Sequence, residues 1–112
     1  MLDRIAGSLE RYLDLLSARQ KVVASNVANA DTPGYKTKDI NFQSEFQSLI
    51  RNAQPVAMEV AGLKSKNDGN NVSMDREARL LSENALRFTL ASNLVRAEVR
   101  SIRTAIQEGR NP

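Results

Sequence analysis

The 112 residues include no cysteine, no histidine and no tryptophan. Each absence removes a class of chemistry. Without cysteine there is no disulfide staple and no thiolate nucleophile. Without histidine the side chain best suited to proton transfer near neutral pH is missing, and a zinc site would need carboxylates alone. The 13 acidic residues are interspersed among 16 basic ones, with no paired Asp/Glu in an apolar setting. This pattern predicts a protein that is not an enzyme and has no cofactor, no metal and no small-molecule substrate.

Large rings are scarce too, at 4% of the chain, although 41% of it is hydrophobic. A chain of this length is one small domain that buries only a modest part of its surface. Oligomerisation is the remaining route to stability once disulfides and metals are excluded. The net charge of +3 is spread along the chain. There is no lysine-rich arm and no basic stripe with interleaved aromatics, so nucleic acid is not an expected partner. No run approaches the roughly 20 apolar residues of a membrane span. Met1-Leu2-Asp3-Arg4 lacks the charged start of a signal peptide, and Arg11 and Asp14 interrupt any apolar stretch after it. On this ground alone the chain reads as soluble and cytoplasmic.

Apolar periodicity divides the chain into three parts of one structural unit: 1–35, 36–73 and 74–112. Ile5, Leu9, Tyr12, Leu16, Val23 and Val27 recur at helical spacing and predict an amphipathic helix over residues 3–29. Pro33 stops it, and Thr32-Pro33-Gly34-Tyr35 predicts a type II turn in which Gly34 supplies a positive φ. The middle is less regular. Phe42, Phe46, Leu49 and Ile50 suit one short helix capped by Asn41, Val56, Met58 and Val60 alternate as in an extended segment, and Lys64–Asn71 is a polar loop. A second long helix is predicted over 74–108, with Ser73 as N-cap, Asp75 and Glu77 in the first turn, and Gly109 and Pro112 closing it. Along it Ala78, Leu81, Ala85, Phe88, Ser92, Val95, Val99, Ile102 and Ile106 form a heptad stripe, with a second line of Leu86, Leu90 and Leu94 beside it. The fold expected is all-α: two long terminal helices pairing as a coiled-coil-like hairpin, joined by a largely irregular middle.

One stretch is more specific than periodicity. Residues 23–36 read Val-Ala-Ser-Asn-Val-Ala-Asn-Ala-Asp-Thr-Pro-Gly-Tyr-Lys. This closely resembles the N-terminal signature of the flagellar rod, hook and hook-associated axial proteins. Asp68-Gly69-Asn70-Asn71-Val72-Ser73-Met74-Asp75, leading into Glu83-Asn84-Ala85-Leu86-Arg87-Phe88, is similar to the linker and C-terminal helix of the short proximal rod type. Residues 43–66 show no clear match. The resemblance implies a structural subunit of the flagellar basal-body rod that polymerises through its terminal helices. It implies export from the cytoplasm without a cleaved signal peptide. Its implied partners are copies of itself, other rod subunits and basal-body components at the membrane-ring and export-gate side.

The motif residues take expected roles from their chemistry. Asn26 and Asn29 share one helix face, where their amides can satisfy backbone groups of the turn or of another chain. Asp31 and Thr32 are expected to bond the turn backbone, and Tyr35 to bury its ring with the hydroxyl outward. The stripes, Ile5 to Val27 in the first helix and Leu81, Phe88, Val95, Val99, Ile102 and Ile106 in the second, form the expected assembly surface. A cytoplasmic helical adaptor or chaperone would carry the same heptads, but it has no need of the turn signature. Arg96, Arg100 and Arg103 directly follow stripe positions and are read as flanking a packing seam.

Overall fold

A computed structural model describes residues 2–47 and 55–110. Helix α1 spans Leu2–Ala28 and helix α3 spans Met74–Arg110; between them lie strand β1 (Lys38–Ile40), helix α2 (Phe42–Gln47) and strand β2 (Ala57–Glu59). The helical hairpin expected from the sequence is therefore present, and the molecule is a rod of 72 × 26 × 18 Å. Local chemistry sets the helix ends. The Asn29 side chain donates to the Ser25 carbonyl at 2.8 Å and so caps the last turn of α1. Asn41 accepts from the Ser44 amide at 3.2 Å, and Ser73 from the Arg76 amide at 3.3 Å, as N-caps of α2 and α3.

The middle segment is more ordered than its irregular pattern suggests. β1 and β2 pair antiparallel in the register Lys38↔Glu59, Asp39↔Met58, Ile40↔Ala57. The Val60 amide adds a bond to the Thr37 carbonyl at 3.0 Å. β1 was not expected, because a three-residue strand is too short to show alternation. The extended reading of Val56–Val60 holds, but Val56 and Met58 are exposed, since nothing among the described residues covers that face. Helix α2 lies against α1 through Tyr12, which meets Phe42 and Phe46 edge-on at 5.2 and 5.9 Å. Leu49 and Ile50 fall outside the described residues.

One expectation about α3 needs correction, and Pro112 lies outside the described residues. The helix does not stop at Gly109 but runs through it to Arg110. Gly109 keeps a negative φ there. In a solvated last turn glycine lowers helix propensity without ending the helix. The face that α3 turns to α1 is distinct from its apolar stripe. The side chains of α3 buried within the chain are Glu77, Leu80, Asn84 and Ala91, against Leu15, Leu16, Val23 and Asn26 of α1. Along most of its length this line sits one residue, or about 100°, round the helix from the apolar stripe. Asn84 explains the choice: its amide donates to the Leu16 carbonyl at 2.8 Å and to Gln20 Oε1 at 3.3 Å. Ala91 then lets the helices approach closely. Counting apolar residues alone cannot find a seam whose fixed points are Asn84 and Glu77.

Contact between the long helices is consequently uneven along the rod. The end nearest the turns is closed, whereas residues 99–110 of α3 are exposed throughout. In the isolated chain, amide hydrogens of residues 99–110 should exchange close to the rate of an unfolded peptide, while those of residues 77–91 exchange most slowly. Hydrogen exchange read by NMR checks this, and equal protection along α3 would contradict it.

Candidate functional site

The turn signature folds into a polar joint where both helices, β1 and the loop before α3 meet. The type II turn is present: the Tyr35 amide bonds the Thr32 carbonyl at 3.2 Å, and Gly34 has φ 74°. A second turn, at residues 66–72, lies directly on it. The Gly34 amide donates to the Asp68 carbonyl at 2.9 Å and the Asn71 amide to the Tyr35 carbonyl at 3.3 Å. Gly69 has φ 86°, and a Cβ there would touch Gly34 Cα at 3.4 Å. Both glycines are thus favoured by backbone shape, their φ lying in the left-handed region.

Asparagine amides fill the backbone groups that these turns leave open. Asn26 is fully buried. Its nitrogen donates to the Lys38 carbonyl at 2.8 Å and to the Glu77 carboxylate at 3.2 Å. Its oxygen accepts from the Lys38 amide at 3.1 Å and from the Tyr35 hydroxyl at 3.0 Å. Asn70, also fully buried, donates to the Asn29 and Thr32 carbonyls at 2.9 and 2.8 Å and accepts from the Val72 amide at 2.9 Å. Asn71 accepts from the Thr37 amide at 2.6 Å, while the Thr37 hydroxyl donates to the Asn71 carbonyl at 3.2 Å. Lys36 Nζ reaches the Gly69 carbonyl at 2.6 Å.

Charges close the other side of the joint. Arg19 grips Asp39 with two bonds, at 3.1 and 3.0 Å. Arg76 spans Asp39 at 2.8 Å and Glu77 at 2.9 Å. Two cations and two anions therefore balance, and the fully buried Glu77 is paired. Burial works against ionisation of Asp39. The hydrogen bond and charge of Arg19, the Ile40 amide and the charge of Arg76 outweigh it, holding the carboxyl below the usual aspartate range.

The structure brings Asn26, Asn29, Thr32, Gly34 and Tyr35 together in this joint, with three departures from expectation, at Tyr35, Thr32 and Asp31. The Tyr35 hydroxyl turns inward to Asn26, because the buried amide oxygen has room for a second donor. Thr32 donates its hydroxyl to the Asn29 side chain at 3.1 Å and not to turn backbone. Asp31 and Pro33 are exposed, and no bond of the Asp31 carboxylate is found among the described residues. Of the stripe residues, Leu16 and Val23 are buried within the chain. Leu9, Tyr12, Val27, Leu81 and Val95 are half-buried, and Ile5, Phe88, Val99, Ile102 and Ile106 are exposed. Sequence reasoning missed Arg19, Thr37, Asp39, Asn70, Asn71, Arg76 and Asn84 as site residues, and took Glu77 only as a first-turn anion. The Asp68–Asn71 cluster was the one available signal, since four turn-forming residues in a row exceed what a single loop needs.

The described residues hold no cluster of three or more acidic side chains able to bind a metal ion. No helix among them is long and apolar enough to cross a membrane. Comparison with known proteins agrees with the sequence signature. A family model described as "Flagella basal body rod protein" matches residues 13–36, the latter half of α1 and the whole turn. The chain is similar to the flagellar basal body rod protein FlgB of Borrelia hermsii, 31% identical with 87% of this chain and 91% of the relative aligned. It is 28% identical to that of Escherichia coli K12, over 97% of this chain and 99% of the relative. For that of Borreliella burgdorferi the identity is 29%, over 94% and 97%. The resemblance read from residues 23–36 and 68–88 is borne out.

Two predictions follow from the joint. Asn26→Ala leaves the Lys38 backbone groups and Glu77 short of partners, and should lower unfolding free energy by about 2–3 kcal/mol in chemical denaturation. A loss under about 0.5 kcal/mol would mean that water replaces the amide at no cost. The second concerns pH. A carboxyl whose folded pKa lies below its unfolded value of about 3.9 stabilises the fold above that value, and the contribution fades as pH falls through the folded pKa. Wild type should therefore lose its stability advantage over Asp39→Asn between about pH 5 and pH 2. A gap that does not narrow would show that Asp39 acts without its charge.

Proposed function

The chain belongs to the FlgB family of flagellar basal body rod proteins, and from that premise we propose that it polymerises through its two long helices to build the proximal part of the flagellar drive shaft. As a member of that family it is a structural component of the basal body rod. The observation that carries the finer reading is the uncovered apolar surface of α3. Leu86, Phe88, Leu90, Leu94, Val99, Ile102 and Ile106 are all exposed along the outer two thirds of the helix. Patches of this extent mark contacts with other proteins. The area agrees: the chain exposes 8185 Å² at a mass of 12.4 kDa, against roughly 6,100 Å² for a compact monomer of that mass.

In this reading the joint is the rigid end of the subunit and α3 its assembly element. The chain leaves the cytoplasm through the flagellar export apparatus without a cleaved signal peptide. Outside, its stripes are covered by copies of itself and by other rod subunits, on the membrane-ring side of the basal body. The assembled shaft carries torque and is required for motility.

Val99→Asp tests this at the far end of the stripe. The variant places a carboxylate in an apolar contact, a cost of about 2–4 kcal/mol at every copy. It should be exported but not incorporated, with no completed rod and no swimming, whereas Arg96→Ala should be mild because it removes only a flanking charge. Fractionation and a swimming assay check both. Normal rods built from Val99→Asp would put the assembly surface elsewhere.

A further inference from the structure

Two apolar clefts flank the crossing of α1 and α3, and their rims are oppositely charged. The first, about 460 Å³, is floored by Ile5, Leu9, Leu90 and Leu94 and rimmed by Arg4 and Arg87. The second, about 340 Å³, lies on the other side of Leu9; Leu13, Val99 and Ile102 line it, with Glu10 and Glu98 at its rim. Among the described residues none of these four charged side chains has an ion-pair partner. Glu98 Oε1 is moreover buried with no hydrogen-bond partner among them. A buried carboxylate oxygen without a donor is costly and calls for one from outside the chain.

The antiparallel register relates the two rims. Asn84 lies against Leu16 and Gln20, and Glu77 against Asn26. Counting outward from these pairs puts Arg4 near the level of Glu98, and Glu10 within about two turns of Arg87. One face of the rod thus carries apolar residues between two cations about 17 Å apart along the axis, and another carries apolar residues beside two anions about 8 Å apart, with Arg4 and Glu98 at one height.

Resting on the rod reading above, we propose that the occupant of the acidic cleft is a second copy of this chain, presenting its Arg4/Arg87 face. Two subunits stand side by side, Arg4 of one meets Glu98 of the next, and the long Arg87 side chain reaches along the axis toward Glu10, about 8 Å away in height. Because the two faces differ, the contact is heterologous: each added copy leaves both faces open at the ends, and repetition gives a ring or a helix. The apolar floors supply the burial, and the charges select the neighbour and its height.

The absence of cysteine makes the test clean. Arg4→Cys and Glu98→Cys are made in separate copies of the full chain and expressed together in the source bacterium in place of wild type. Isolated basal bodies are treated with a short bis-maleimide. A cross-linked dimer of this chain is expected from the mixed strain and from neither variant alone. Charge reversal supplies an independent arm. Arg4→Glu with Arg87→Glu, or Glu10→Arg with Glu98→Arg, should abolish swimming, and all four changes in one chain should restore it. Three results overturn the pairing while leaving the rod reading intact: no dimer although the protein is in the basal body, a cross-link to a subunit of another mass, or no rescue by the fourfold reversal. If wild-type protein is missing from basal bodies, the rod reading itself fails.

Discussion

A buried side-chain amide has a carbonyl oxygen and two N–H groups to satisfy, and Asn26 satisfies them from the turn, from β1 and from α3. Its two bonds to Lys38 imitate a strand partner and hold β1 against α1. Its bond to Glu77 fixes the start of α3. The neighbouring charges depend on the same placement, because Asp39 and Glu77 reach Arg76 together only when strand and helix are both docked. Removal of one group would loosen three elements, since a partly satisfied buried network costs more than its share.

A polar fixed point suits a molecule whose helices must remain partly uncovered. In a compact domain apolar burial orients the elements, and hydrogen bonds refine them. Here the α3 side chains buried against α1 are few and include Glu77 and Asn84. Directional bonds therefore carry the geometry: Asn84 sets the level of α3 on α1, and the joint sets the angle between them. The larger apolar side chains are left facing outward.

The outcome is a rod with a closed end and an open end. The closed end is specified within the chain by glycine geometry, asparagine amides and balanced charge. Toward the open end lie Leu94, Val99 and Ile102, near Arg4, Glu10 and Glu98, which have no ion-pair partner among the described residues. A chain built this way is ordered at its turn by its own bonds, while residues 99–110 of its outer helix are left exposed.

The two long helices, the proline stop, the type II turn at Gly34, and the caps Asn41 and Ser73 were all legible in the sequence. Each rests on interactions within a few residues, which periodicity and turn chemistry describe. The family signature was legible for the same reason, being one contiguous stretch. What required tertiary structure is whatever joins residues far apart: Asn26 with Glu77, Asn70 with Asn29, Asp39 with Arg19 and Arg76, and Asn84 with Leu16. In a linear reading each of these is an ordinary polar residue, and the presumption for such residues is solvent. The face that α3 turns to α1 was not legible for that reason, because apolar counting gives no weight to Glu77 and Asn84. The order of residues decided which segments would be helices and where the chain would turn, and long-range hydrogen bonds decided which face of each helix turned inward.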